Sequence, residues 1–421
     1  MTRLIIALAA GGAALALART PADTAPACAA DNGGLTLPAG FCAAVVADNV
    51  GAARHLAVAP NGDLFVALLS NRGRSGGVAA LHDADGDGTF EAVERFGGDS
   101  ATGIALRGDA LYVATPTAVL RYPMKAGALT PSGPPETIVT GLPQQIQHAD
   151  KAIAFDDRGG LYINVGAPSN ECQAQDRRAG VPGQDPCPLL ETHGGIWRFD
   201  EKRTGQRQAD GQRYATGMRQ VVALAWHGTS LFAAMNGRDQ LDTMWPAQFT
   251  AKDNAERPAE NLYLVKDGSN FGWPYCYHDF VQNKLVVAPE YGGDGKKTER
   301  CAPFTGPVAA FPAHWAPVDL MFYTGRQFPQ RYQGGAFLAF HGSWNRAPEQ
   351  AGFNVTFQPF NGERPSGSYE VFANGFAGKA APARSNDAVY RPDGVAQAPD
   401  GSIYIAESQK GRIWRVMYKG K

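Results

Sequence analysis

Charge is scarce in this chain of 421 residues: Asp, Glu, Lys and Arg make up 19%, and the formal net charge is -1. An ordinary soluble domain carries about 25%. So balanced a chain offers no basic surface for a nucleic acid. After the first eighteen residues no apolar run approaches the length of a membrane-spanning helix, so the mature chain is expected to carry no membrane span. Cys-x-x-Cys does not occur, which weakens any structural zinc site, and neither does Cys-x-x-Cys-His, so no c-type haem is attached here. There is no G-x-G-x-x-G behind a strand, no P-loop and no H-E-x-x-H. Nicotinamide, nucleotide and zinc-peptidase chemistry therefore have no support.

Turn formers are abundant instead. Gly 50 and Pro 29 together are nearly a fifth of the chain, against about 12% usually. At that density they break helices and favour turns. The hydrophobic fraction of 44% is ordinary, which excludes disorder. A turn-rich, all-β protein remains.

Arg3, the uncharged run Leu4 to Leu17 and the small-x-small site Ala16-Leu17-Ala18 read as a secretory signal over 1–18. Residues 19–34, rich in Ala, Pro and Asp, read as a flexible leader. Export predicts a periplasmic or secreted protein, where an even set of cysteines forms disulfides. Short loops favour Cys172–Cys187, Cys276–Cys301 and then Cys28–Cys42, although spacing alone leaves the connectivity open.

A repeat runs through the remainder. RHLAVAPNGDLFVAL at 54, TGIALRGDALYVAT at 102, HADKAIAFDDRGGLYINVG at 148, GMRQVVALAWHGTSLFAAM at 217 and RPDGVAQAPDGSIYIA at 391 are period-2 hairpins closed by tight turns. GGAFLAFHGSWNR at 334 repeats the second half alone. Apolar pairs start at 64, 111, 161, 231 and 403, with Phe337 as the sixth anchor. Six such units predict an all-β, six-bladed β-propeller over 35–421, with a long insertion between 239 and 334. A pair of β-sandwiches is the rival fold, but no linker divides the chain.

In a propeller, function gathers where loops meet the inner strands at one end of the channel. His148 stands just before the third inner strand, where a neutral imidazole can take a proton from a substrate hydroxyl. Arg54, Arg219 with Gln220, and Arg391 hold the equivalent places in other hairpins, and repeated arginines suit a polycarboxylate or phosphate. The turn Asn236-Gly237-Arg238-Asp239 can offer oxygen ligands to Ca²⁺. Asp83, Asp85, Asp87 and Glu94 fit D-x-D-x-D-G-x5-E, which makes them a candidate structural Ca²⁺ loop outside the catalytic region.

Several of these segments together resemble the pyrroloquinoline-quinone (PQQ)-dependent sugar dehydrogenases, of the L-sorbosone and pyranose dehydrogenase type. They are HADKAIAFDDRGGLYINVGAPSNEC, ATGMRQVVALAW, NLYLVKDGSNFGWPYCY, AHWAPVDLMFY, FLAFHGSWNRAP and RPDGVAQAPDGSIYIAES. The resemblance implies PQQ and Ca²⁺ as cofactors, a small sugar as substrate and a separate electron acceptor, a cytochrome or quinone. It implies His148 as catalytic base, Arg219 as partner of the quinone oxygens, and the backbone carbonyls of Gly237 and Arg238 as ligands of the PQQ-linked Ca²⁺. Arg391 matches a carboxylate-binding arginine; His341, Trp344 and Arg346 match further cofactor contacts. Three departures stand out: Gln220 replaces an Asn, Ala167 stands where soluble glucose dehydrogenase has a carboxylate, and HGSWNR offers no lysine. With Ala167, the partner that orients His148 must differ, Asp150 being one candidate. The alternatives are a Ca²⁺-dependent lactonase-type hydrolase, which needs inward carboxylates around the ion, and a non-catalytic binding propeller.

Overall fold

The computed structural model describes residues 25–70, 73–378 and 381–420. The expected signal segment 1–18 lies outside the described residues.

The chain forms six blades of four antiparallel strands around one channel, and at the outer edge of blades two and three a two-residue strand, Gln206–Arg207 and Ser269–Asn270, adds in parallel. From the channel outward, blade one is Ala53–Val58, Leu64–Leu68, Gly77–His82 and Ala92–Phe96. Blade two is Ile104–Arg107, Ala110–Ala114, Val119–Pro123 and Glu136–Thr140. Blade three is Ile153–Phe155, Gly160–Val165, Gly195–Asp200 and Gln212–Thr216. Blade four is Val221–His227, Ser230–Met235, Glu260–Val265 and Ala309–Phe311. Blade five is Pro317–Phe322, Ala336–His341, Phe353–Gln358 and Glu370–Ala373. Blade six is Pro392–Gln397, Ile403–Glu407 and Ile413–Tyr418, completed by the N-terminal strand Phe41–Ala47. That last pairing closes the ring and covers what would be an open strand edge.

The apolar pairs of the repeat explain how blades stack. They lie in the second strands, whose two faces each meet a neighbouring blade. Leu64 and Val66 pack toward Tyr404 and Ile413 of blade six, whereas Phe65 and Ala67 pack toward Leu111 and Val113 of blade two. Alternation therefore separates two apolar faces rather than an apolar face from a polar one. Leu64, Leu111, Leu161, Leu231, Phe337 and Ile403 are all fully buried, each worth about 1.5–3 kcal/mol of transfer free energy.

Two expectations change. Residues 28–34 are not a free leader: Cys28 is bonded to Cys42, Ala29 N donates to Ala43 O, and Trp414 Nε1 donates to Gly33 O. The leader is pinned because the strand that closes the ring begins just after it. The stretch 239–334 is not purely an insertion either, since it holds the two outer strands of blade four and the inner strand of blade five. Its extra residues form the short helices Leu241–Met244 and Ala251–Glu256 and the hairpin Cys276–Asp279/Lys284–Val287. The three disulfides are those favoured by loop length. The loops closed by Cys172–Cys187 and Cys276–Cys301 clasp each other through Arg300–Asp185, at 2.6 Å, and through Cys187 N donating to Tyr275 Oη.

Each blade begins at the channel and alternates direction, so all six inner strands start at one mouth and all six second strands end there. Residues just before the former and just after the latter gather at that mouth.

Candidate active site

The mouth holds a cavity of about 380 Å³ lined by Arg54, His148, Asp150, Arg219, Gln220, Asn236, Gly237, Asp239, Glu260, His314, His341 and Trp344, among others. Residues far apart in sequence meet here because four different blades deliver them.

His148 precedes the inner strand of blade three in a left-handed backbone conformation, φ 55°. That turn brings the ring to the carbonyl of Ala167, just past the second strand of the same blade, with Nδ1 2.5 Å from the oxygen. A carbonyl only accepts, so Nδ1 carries the proton and Nε2 keeps its lone pair. Close approach also requires Gly166, where a Cβ would overlap His148 and Gln220. Burial, reinforced by the Arg219 charge, pushes the imidazole down to about 3, so the ring is neutral at physiological pH.

The arginines are held rather than free. Arg54 donates to Asp393 over 2.6 Å and to Asp150 over 2.7 Å. Asp150 thus serves Arg54, and the carbonyl of Ala167 orients His148. Arg219 donates to the Gly237 carbonyl over 2.9 Å and to Asp239 over 2.5 Å. Asp239 also receives Arg177 at 3.0 Å, from the loop closed by Cys172–Cys187. Burial opposes ionisation of Asp239, yet Arg219 foremost holds its carboxyl well below the usual range. Burial has the upper hand elsewhere, pushing Glu260 up to about 8 and Asp393 up to about 7. Two of the carboxyls around the mouth thus give up much of their negative charge near neutrality, and the guanidinium groups keep theirs.

The placement of the sequence candidates is uneven. His148, Arg54, Arg219, Gln220, Gly237, His341 and Trp344 line the central cavity. Arg391 does not; with Arg54 and His341 it lines an adjoining cavity of about 350 Å³. Arg346 turns instead onto the carbonyls of Ala255 and Ala313, tying the helix Ala251–Glu256 to the mouth loop. The Arg238 side chain is buried in a bidentate pair with Glu290 at 2.7 and 2.9 Å, bracing the turn behind Gly237. On the opposite face, Asp83, Asp85 and Asp87 cluster with Glu91. Glu94 stands apart, in the outer strand Ala92–Phe96 opposite Ala80. Strand pairing moves it away, because the outer strand begins before the twelfth position of the loop motif.

Asp393, Glu260 and Arg177 were not singled out from sequence. Asp393 was visible only as part of a turn-like Arg-Pro-Asp-Gly, although it lies on an inner strand. Glu260 has no motif around it; its two oxygens accept from Gly237 N at 2.8 Å and Ala316 N at 3.1 Å.

Polar atoms left without a hydrogen-bond partner mark what the cavity lacks. Arg54 Nε and Arg219 Nε are buried unpartnered donors; Gln220 Oε1 and Asn236 Oδ1 are buried unpartnered acceptors. Buried groups of this kind call for a ligand. Donors beside guanidinium charge suit an anionic, oxygen-rich molecule, and neutral oxygens beside the Gly237 carbonyl suit a hard cation.

A family model described as TrAA12-like matches residues 35–419. A pyrroloquinoline quinone-dependent pyranose dehydrogenase of Coprinopsis cinerea is 26% identical over 197 residues, covering 38% of this chain and 25% of that protein. The matches to curated relatives span about half or less of those proteins' length. Among solved structures, the calcium structure of Trichoderma reesei carbohydrate-active enzymes family AA12 superposes with a TM-score of 0.73 at 17% identity, covering 91% of this chain and 97% of that one. The holo form of the pyranose dehydrogenase PQQ domain from Coprinopsis cinerea gives 0.71 at 19% identity, covering 94% and 98%. At such identities these two report likeness of fold.

Proposed function

The chain belongs to the TrAA12-like family, and on that premise we propose that it is an exported oxidoreductase that uses PQQ and Ca²⁺ to oxidise an aldose or a sorbosone-like sugar aldehyde. The observation that carries this reading is the His148 ring. Its Nδ1 is committed to the Ala167 carbonyl and its Nε2 is left as acceptor in a cavity shared with two guanidinium groups.

PQQ, when bound, supplies an ortho-quinone that accepts hydride, and Ca²⁺ supplies a Lewis acid beside it. Arg54 and Arg219 would hold the quinone cofactor's oxygens through their unpartnered Nε–H donors. The carbonyls of Gly237 and Arg238, with Gln220 Oε1 and Asn236 Oδ1, would hold the ion. Trp344, 52% exposed at the rim with Arg177 5.7 Å from its ring centroid, would cover the cavity against water. His148 Nε2 takes the proton of the sugar hydroxyl, and its low basicity keeps that acceptor unprotonated at neutral pH.

Export is supported by three disulfides, and no helix among the described residues is long and apolar enough to cross a membrane. Electrons would leave to a separate cytochrome or quinone, since the chain has no haem motif. The lactonase alternative needs carboxylates free to ring an ion. Asp150, Asp239 and Asp393 are each engaged by an arginine.

The test is reconstitution of the purified chain with PQQ and Ca²⁺, following dye reduction across a panel of sugars together with the quinone spectrum. Sugar-dependent bleaching is expected. No spectral change on adding PQQ would sink the reading, and binding without turnover would favour a binding propeller.

A further inference from the structure

Residues 144–147, which lead into His148, bury no large apolar side chain: Ile146 at the tip lies wholly in solvent. Hydrophobic burial does not hold such a segment, so hydrogen bonds must. Two glutamines supply them in opposite directions. Gln147 reaches outward, its Nε2 donating to Asp176 Oδ2 over 2.8 Å and its Oε1 accepting from Arg177 Nε over 3.1 Å. Gln145 reaches inward. Its Nε2 faces three main-chain oxygens, those of Gln147 at 2.7 Å, His148 at 2.9 Å and Gly166 at 3.0 Å. Only a donor can face three carbonyls, so chemistry fixes which end of the amide points there. Gln145 Oε1 is buried without a partner, so what this side chain contributes lies on its donor side.

The three oxygens belong to both ends of the bond that orients the imidazole. His148 holds a left-handed backbone, φ 55°, which a residue other than glycine keeps only where its surroundings enforce it. Gln145 grips the carbonyls on either side of that residue's N–Cα bond and beyond, at 147 and 148. The Gly166 oxygen belongs to a peptide unit whose other end is the Ala167 N–H, which donates to the Arg219 carbonyl over 2.8 Å. A peptide unit is planar. Gripping its oxygen and its N–H together therefore fixes its plane, and with it the aim of the next carbonyl. That next carbonyl is Ala167 O, the acceptor of His148 Nδ1. One nitrogen thus ties the main chain of the ring to the main chain of its acceptor. Gln145 itself is not among the residues that line the central cavity.

We infer that Gln145 is the positioning residue of His148: its Nε2 clamps the 147–148 and 166 carbonyls, and the clamp keeps the ring's proton on Nδ1 and its lone pair on Nε2. Nothing in the family resemblance assigns Gln145 a role. The consequence for turnover rests on the reading of His148 as base; the effect on the ring does not.

The test labels the histidines of the full-length chain with nitrogen-15 and reads the ring nitrogens at neutral pH, first without cofactor. The His148 signals are identified by their loss in His148→Ala. The native chain is expected to show a protonated Nδ1 and a bare Nε2, and Gln145→Ala a mixture of both tautomers. Gln145→Glu keeps the size of the side chain but turns only acceptors toward the three carbonyls, and is expected to match Gln145→Ala. In the reconstituted enzyme both variants should lower kcat by about 10- to 100-fold, with KM for the sugar and the affinity for PQQ each within about twofold. A native tautomer in Gln145→Ala overturns the inference. So does a Gln145→Glu chain that behaves as the native one, because side-chain volume rather than donation would then be what matters. A mixed tautomer with undiminished kcat leaves the clamp standing and overturns the reading of His148 as base.

Discussion

His148 is oriented by a residue whose side chain cannot accept a hydrogen bond: its Nδ1 sits 2.5 Å from the main-chain oxygen of Ala167. The main chain orients the ring, so the tautomer with its proton on Nδ1 does not depend on which side chain stands at 167. Changes that spare the backbone should therefore be tolerated. Ala167→Ser is expected to keep kcat/KM within about threefold in the reconstituted enzyme. Gly166→Ala places a Cβ against His148 and Gln220 and should cost far more. Equal losses in the two variants would contradict the carbonyl's role.

Removing the proposed base should separate chemistry from binding. His148→Ala is expected to lower kcat by about 10²–10⁴ while PQQ still binds, as read by quinone absorbance. Unchanged turnover would refute the assignment of His148.

The Arg54 pairs predict a stability effect with a built-in comparison. Arg54→Met leaves Asp393 fully buried without its 2.6 Å partner, and breaking a buried pair costs about 3–5 kcal/mol. Asp393→Asn should cost less, because burial already pushes that carboxyl up to about 7, so its neutral form is within reach near neutrality. Chemical denaturation at pH 8, above the Asp393 value, measures both; a larger loss for the Asn variant would contradict the ranking.

Stability should peak on the acid side of neutral. Burial lowers His148 to about 3 and His278 and His314 to about 4. The folded state thus binds fewer protons than the unfolded chain below about 6.5, and these groups cost stability as pH falls through that value. Burial raises Glu171 and Glu260 to about 8 and Asp393 to about 7. Those groups bind more protons when folded, so stability falls as pH rises from about 4.5 toward 8. The two sets oppose each other between about 4.5 and 6.5. Only the acids act from there to pH 8, and below pH 4 Asp239 and Asp253 join the histidines. Denaturant unfolding of the cofactor-free chain from pH 4 to 9 should give a broad maximum near pH 5–6.5; a steady rise through pH 8 would be inconsistent with this balance.

The Cys172–Cys187 bridge closes a loop with a sequence separation of 15, for which chain entropy gives about 3 kcal/mol. Replacing both cysteines with serine should remove stability of that order. It should also loosen Arg177, which the same loop extends over the mouth to Asp239. Amide exchange across 173–186, read by mass spectrometry, is expected to rise. Protection equal to that of the native chain would show that the clasp with the 276–301 loop suffices alone.

The amino-acid sequence by itself determined the architecture. Period-2 hairpins with an apolar pair in each second strand are a local pattern, and burial on both faces of those strands leaves a propeller as the way to satisfy it. Local spacing likewise favoured the three disulfides and placed His148 and Arg219 where inner strands begin. What tertiary structure decided is the pairing of groups distant along the chain or carried by the main chain. Arg54 and Asp393 are 339 residues apart and meet only because the ring closes. That closure also splits the expected arginine ring, leaving Arg391 in its own cavity with Arg74. Glu91 rather than Glu94 joins the acidic turn because strand pairing intervenes. The acceptor for His148 is a carbonyl, a group every residue carries, so no residue type could announce it; only the fold of blade three brings that oxygen to the ring.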